Sequence, residues 1–206
     1  MLMGKRNLRV ELLEINIINE KMKKIFYYSL ALLTCIILTS QMLKDFHPDI
    51  SINKSIYLMD SKNSDKYIKN QSWKIIEDSE PARILLKNHN GTQYLVLYHL
   101  YGSNLNTFNQ FEIGKIDFKD SLYTITQFDS FRTEDGIYLG MTDTELMHIK
   151  GTNYSTEIVN GCKILEYRIE GNDIDFLKYY NMPLYIAKYY FSDGKLIKFV
   201  FGFPYL

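Results

Sequence analysis

At 206 residues, with 46% hydrophobic and 15% aromatic content, the chain holds enough apolar material for one ordinary domain or two small ones, which excludes a largely disordered protein. The formal charge is zero, but the first forty residues carry six Lys/Arg against three Asp/Glu, leaving 18 basic and 21 acidic residues from Gln41 onward. Basic residues there are scattered singly, so neither a nucleic-acid footprint nor a basic membrane-binding stretch is present.

Residues 1–21 read as a mis-assigned start or a short cytoplasmic extension. Met22, Lys23 and Lys24 then form a basic region ahead of the uncharged apolar run IFYYSLALLTCIILTS, residues 25–40. This pattern over residues 22–40 predicts a signal peptide or a membrane anchor, with Ser40 a small residue ahead of a cut. Sixteen apolar residues fall short of the roughly 20 that span a bilayer, which favours cleavage. LLTC around Cys35 approximates a lipidation signal, although Thr34 is a weak occupant and the apolar run continues past the cysteine. The expected location is extracytoplasmic, periplasmic or secreted, with a single-pass anchored protein as the alternative. Membrane contact is expected only through this segment. Residues 41–51 read as a spacer, with Pro48 opposing helix.

From Ile52 the chain reads as helix and strand. Residues 52–116 contain IYL at 56–58, RILLK at 83–87, and a hairpin made of GTQYLVLYHLYG and QFEIGKID, with Asn90-Gly91 as a turn. A connector, 117–135, follows. In residues 136–206, Thr142 and Glu145 form a capping box ahead of a two-turn helix that is expected to bury Leu146 and Ile149. Gly151 suits a left-handed stop. Three strands come next, Lys163–Ile169, Leu184–Phe191 and Lys195–Phe203, the last two joined by Asp193-Gly194, the strongest hairpin signal in the chain. Alternation puts Leu165, Tyr167, Ile169, Ala187, Tyr189, Phe191, Ile197, Phe199 and Phe201 on core faces.

The two segments echo each other at a shift of 81 positions. Ile56, Tyr57 and Leu58 fall on Ile137, Tyr138 and Leu139; Ile68 and Lys69 fall on Ile149 and Lys150; Asn70 falls on Gly151. Met59 replaces Gly140 and Ser64 replaces Glu145, and EGNDIDFLKYYN is an insertion in the second copy. The expected fold is α+β: two tandem repeats, each a short helix or helix pair on a three- to four-stranded antiparallel sheet, joined by their edges into one longer sheet.

Catalytic and metal signatures are missing from the residues. His47, His89, His99 and His148 lie far apart, with no i, i+4 pair. Glu134 and Asp135 are adjacent acids, but they precede Gly136 in a turn, where acidic residues serve the backbone. Cys162 reads as a small buried hydrophobe. No G-x-S-x-G, Walker loop or dinucleotide fingerprint occurs, so no cofactor, no metal and no enzymatic activity are expected, and a hydrolase built on scattered carboxylates is the third-ranked reading.

GIYLGMTDTELMHIKG, followed by strands ending in YFSDGKLIKFVFGF, resembles the helix-then-sheet module of beta-lactamase-inhibitory-protein-like domains and of the small outer-membrane assembly lipoproteins. GSNLNTFNQFEIGKID with FRTEDGIYLGMT also resembles uncharacterised secreted two-repeat proteins of gut-type Bacteroidetes. The resemblance implies a tandem-repeat fold that binds other proteins through its sheet, and it carries over no catalytic residue. The leading expectation is therefore a non-enzymatic protein-binding module, with an anchored envelope assembly or structural factor as the alternative. The partner would be a protein whose identity is unknown. The sheet positions that alternate with the core, Glu166, Arg168, Lys188, Tyr190 and Lys198, together with His99 and Tyr101, are the candidate binding residues.

Overall fold

The computed structural model describes residues 21–29, 46–68, 75–76, 81–100, 102, 107–116, 123–171 and 173–204. Cys35, Asn70 and Tyr101 lie outside them. The chain divides into two units, Met1–Lys44 and Asp45–Leu206. In the first, residues 21–29 form helix α1, exposed along its described length. Among the described residues no helix is long and apolar enough to cross a membrane.

The second unit is α+β. Strands β1 (Ser51–Ile52) and β2 (Ile56–Tyr57) form a small antiparallel ribbon. Its turn places Asn53 and Lys54 at φ of 51° and 52°, a conformation asparagine tolerates better than most residues. Helix α2 (Ser61–Ile68) follows, begun by the Asp60 carboxylate, which accepts from the Asn63 N–H at 3.0 Å. The remaining elements are β3 (Ile75–Ile76), β4 (Arg83–Lys87), β5 (Gln93–His99), β6 (Phe108–Lys115), β7 (Thr124–Ile125), α3 (Asp143–Lys150), β8 (Ser155–Val159), β9 (Cys162–Glu170), α4 (Asp175–Tyr180), β10 (Leu184–Ser192) and β11 (Lys195–Gly202).

The large sheet runs β3-β4-β5-β6-β11-β10-β9-β8. All neighbours are antiparallel except β7, which lies parallel to β4 along Leu86 and Lys87, beyond the end of β3. Chain-sequential hairpins build each half, and the halves meet where β6 pairs with β11, with Phe111 opposite Phe201 and Ile113 opposite Phe199. Alternation decides most of the faces, but the register of β10 and β11 shifts between Tyr190 and Phe191, so that Leu196, and not the expected Ile197, joins the core. Ile84, Leu86, Leu95, Leu97, Phe111, Ile113, Leu165, Tyr167, Ala187, Tyr189, Phe199 and Phe201 are buried in one core with Leu146 of α3 and Leu177 of α4.

Local chemistry accounts for most turns. Asp193 and Gly194, at φ of 49° and 71°, make the two-residue hairpin read from the sequence. Asn160 and Gly161, at 51° and 79°, make a second between β8 and β9. The β4–β5 turn is held by Asn88, whose carboxamide oxygen accepts from the N–H groups of Thr92 and Gln93 at 2.8 and 2.9 Å.

Helix α3 carries the expected capping box, but two expectations are corrected. Gly151 has a positive φ of 79° with an extended ψ of −171°, so it leaves the helix without the left-handed helical step, while its N–H still reaches the Met147 carbonyl. The helix buries Leu146 and Lys150, and Ile149 only in part, because the i, i+4 pair faces the sheet. The stretch EGNDIDFLKYYN, read as an insertion, contributes α4, ended by Asn181 in the left-handed region. Residues 46–51 of the stretch read as a spacer are packed: Phe46 stacks on Tyr167 at 4.7 Å, and Asp49 and Ser51 are buried.

Candidate functional site: the outer face of the large sheet

The sheet positions that alternate with the core form three cross-strand rows, set by the register. One holds Tyr94, Gly114, Lys198, Tyr190 and Ile164. The next holds Val96, Glu112, Val200, Lys188 and Glu166. The third holds Tyr98, Gln110, Gly202, Ile186 and Arg168. Glu166, Arg168, Lys188, Tyr190 and Lys198 thus share one face over β9, β10 and β11, as alternation predicts.

Two carboxylates organise that face. Glu112 accepts from the Tyr94 hydroxyl at 2.7 Å and the Tyr98 hydroxyl at 3.2 Å, and the Lys198 ammonium lies 3.5 Å away. Burial, followed by the Glu112 charge, pushes the Tyr98 phenol up to about 12 and Tyr94 higher still. The end of the Tyr94 ring lies over Gly114, where a Cβ would stand 2.6 Å from it. Lys198 also sits 4.8 Å over the Tyr190 ring. Glu166 pairs with Lys188 at 2.9 Å and more loosely with Arg168 at 3.7 Å, and Arg168 reaches Glu170 at 2.7 Å. The Glu166 hydrogen bond holds the Lys188 ammonium above its ordinary range.

His99 is a correction. It continues the inward series Leu95, Leu97, His99, and the pairing of β5 with β6 slips between Tyr98 and His99. The ring is buried, 5.0 Å from Phe108, and desolvation lowers its pKa. It therefore belongs to the opposite side of the sheet from the other candidates.

Beyond the core face lies a polar cluster that periodicity does not reveal. The fully buried Lys150 ammonium contacts Asp49 Oδ2 at 2.9 Å, Asp135 Oδ2 at 2.7 Å and the His47 carbonyl at 2.7 Å. Tyr185 donates to the Asp49 carbonyl at 2.7 Å and Tyr189 to its carboxylate at 3.2 Å. Glu134 accepts from Ile50 N, Ser51 N and Ser51 Oγ at 2.5, 2.9 and 3.0 Å. Glu134 and Asp135, read as turn residues, thus tie residues 47–51 to the body of the fold. The only sequence signal was a lysine four places after Leu146 on a helix face that should be apolar.

Beside this cluster a groove of about 830 Å³ opens between the β1–β2 ribbon and α4, bordered by Tyr57, Phe176, Tyr179 and Tyr180 with Pro48 and Ile50. Among the described residues no group of three or more His, Cys, Asp or Glu is placed to hold a metal ion. Cys162 is a free, half-buried thiol.

These features define an α+β domain with one wide antiparallel sheet, one face of it packed into the main core and the other lined over β9–β11 by mutually paired charged and aromatic side chains, with Leu85 and Val96 buried on it over β4 and β5. Comparison with protein families, with curated proteins and with solved structures finds no match to this chain.

Proposed function

We propose that the protein is an extracytoplasmic, non-enzymatic binding module that presents the β9–β11 part of its outer sheet face to a protein partner. The observation that carries this reading is the mutual restraint of that face: Tyr190 under Lys198, Lys198 beside Glu112, and Glu166 between Lys188 and Arg168. Side chains already held in place lose little entropy on binding, and tyrosine offers area with a polar tip. Among the described residues of that face none pairs a nucleophile with a base.

The module consists of two tandem repeats. Support comes from the strand order, in which β3-β4-β5-β6 is mirrored by β8-β9-β10-β11 about the β6–β11 seam. Met59, which stands where the second copy has Gly140, shares its positive φ, 57° against 99°. Ser64 stands where the second copy has Glu145 and exchanges hydrogen bonds with the Tyr57 backbone at 2.9 and 3.2 Å.

The test is quantitative capture from an envelope extract with residues 41–206 as bait. A partner held by the wild type should be lost from Tyr190→Ala/Lys188→Ala, with a cost of roughly 1–3 kcal/mol per anchor. Retention at full affinity by that variant, or capture by a variant altered at the groove of α4 being the one that fails, places the interface elsewhere.

A further inference from the structure

We propose that the groove between the β1–β2 ribbon and α4 binds a small hydrophobic organic cation, such as an aryl-substituted quaternary ammonium. Its volume, about 830 Å³, lies within the range of small-molecule sites, roughly 300–1,000 Å³. Phe176, Tyr179 and Tyr180 form a connected aromatic wall, with Phe176 edge-on to Tyr180 at 5.2 Å and Tyr179 edge-on to Tyr180 at 4.9 Å. Tyr57 closes the opposite side, and its hydroxyl is spent on the Lys54 carbonyl at 2.8 Å. Tyr179 stands at the rim with 82% of its surface exposed, a large ring left in water beside an apolar hollow.

The charges decide the sign of the occupant. Glu134 and Asp175 are the carboxylates of the lining, and Asp175 enters no ion pair among the described residues. Tyr180 is held above its ordinary pKa chiefly by burial, with Tyr179, Asp60 and Glu134 adding to the effect, so the acids are felt at the floor. Behind that floor Asp49 and Asp135 share the single ammonium of Lys150. Against these, His47 leans on Asp135 at 3.5 Å, and Lys54 is an exposed side chain at the mouth, free to extend into water. Aromatic faces carry negative quadrupoles, so rings and carboxylates favour the same ligand. A sulfonate or carboxylate would meet Glu134 and Asp175 on entering.

The experiment titrates the full domain with benzyltrimethylammonium, its neutral analogue 2-methyl-1-phenyl-2-propanol, and phenylmethanesulfonate, followed by amide chemical shifts. The cation should bind saturably, with shifts centred on Tyr57, Tyr179 and Tyr180, and about tenfold more tightly than the neutral analogue. Tyr179→Ala and Asp175→Asn alter exposed residues and should keep the wild-type amide pattern elsewhere while weakening the cation by about threefold or more. Tyr190→Ala, on the outer sheet face, should leave it unchanged, which separates this site from the protein-binding reading. Equal binding of the neutral analogue, preference for the sulfonate, or no saturation by about 10 mM cation overturns the proposal.

Discussion

The Lys150 ammonium lies 2.9 Å from the Asp49 carboxylate, and both side chains are wholly buried although 101 positions separate them in the chain. Removing one partner of such a pair leaves a charge without compensation in a medium that solvates it poorly. Lys150→Met should therefore cost about 3–5 kcal/mol at neutral pH, read from urea unfolding. Adding Asp49→Asn to that variant should recover part of the loss. A double variant no more stable than the single one would mean that Lys150 acts through Asp135 and His47 alone.

The same pair gives the fold a pH dependence. Burial pushes the Asp49 carboxyl up from 3.8 to about 6, only partly opposed by Lys150. The folded protein then holds this proton more tightly than the unfolded chain, so the contribution is complete below about 3.8 and is lost as pH rises through 6. Asp135 works in the other sense: burial raises it, but hydrogen bonding and charge from Lys150 hold it below its ordinary value. Its stabilisation is present above 3.8 and disappears as pH falls through the lower folded value. Between pH 7 and pH 5 Asp49 contributes a rise in the urea midpoint on acidification, against which His99, held below its ordinary pKa by desolvation, contributes a fall. In Asp49→Asn that rise should shrink, and an unchanged rise would assign it to other groups.

Gly114 and Gly202 should respond differently to alanine. At Gly114 the obstacle is the end of the Tyr94 ring, a side chain that can swing aside, so Gly114→Ala should cost about 1 kcal/mol and nearly nothing in a Tyr94→Ala background. Gly202, at φ of 134°, faces the Asn109 carbonyl and the Gln110 Cα, backbone that cannot yield. Gly202→Ala should be the more damaging by about 1–3 kcal/mol, and thermal unfolding of the three variants ranks them.

Helix α3 depends on its cap. Thr142 Oγ1 accepts from Glu145 N at 3.2 Å while Glu145 Oε2 accepts from Thr142 N at 2.6 Å. Thr142→Ala should lower stability by about 1 kcal/mol, and Thr142→Ser should restore most of it. Equal unfolding midpoints for the two variants would show that tertiary packing alone holds the helix.

Local rules carried the reading of β4 to β6 as strands and of β9 to β11 with their faces, Ile197 excepted, because a period of two assigns each side chain a face before the neighbour is known. The capping box at Thr142 and the Asp193-Gly194 turn were legible for the same reason: each is settled by atoms within a few residues. Glu166, Arg168, Lys188, Tyr190 and Lys198 could thus be placed on one face from sequence alone. His99 could not, because its placement among the candidates assumed how the upstream hairpin is set against the downstream one, and the slip at Tyr98 and His99 belongs to the real pairing. The β6–β11 seam, the Asp49–Lys150 pair and the groove against α4 each join segments about 85 to 130 residues apart. Such choices depend on which surfaces meet once loops close and water is expelled, a global free energy that no local period records. Sequence determined the main strands, helix α3 and the shared face of Glu166, Arg168, Lys188, Tyr190 and Lys198, and tertiary structure decided which surfaces became core and which became a cluster of buried charge.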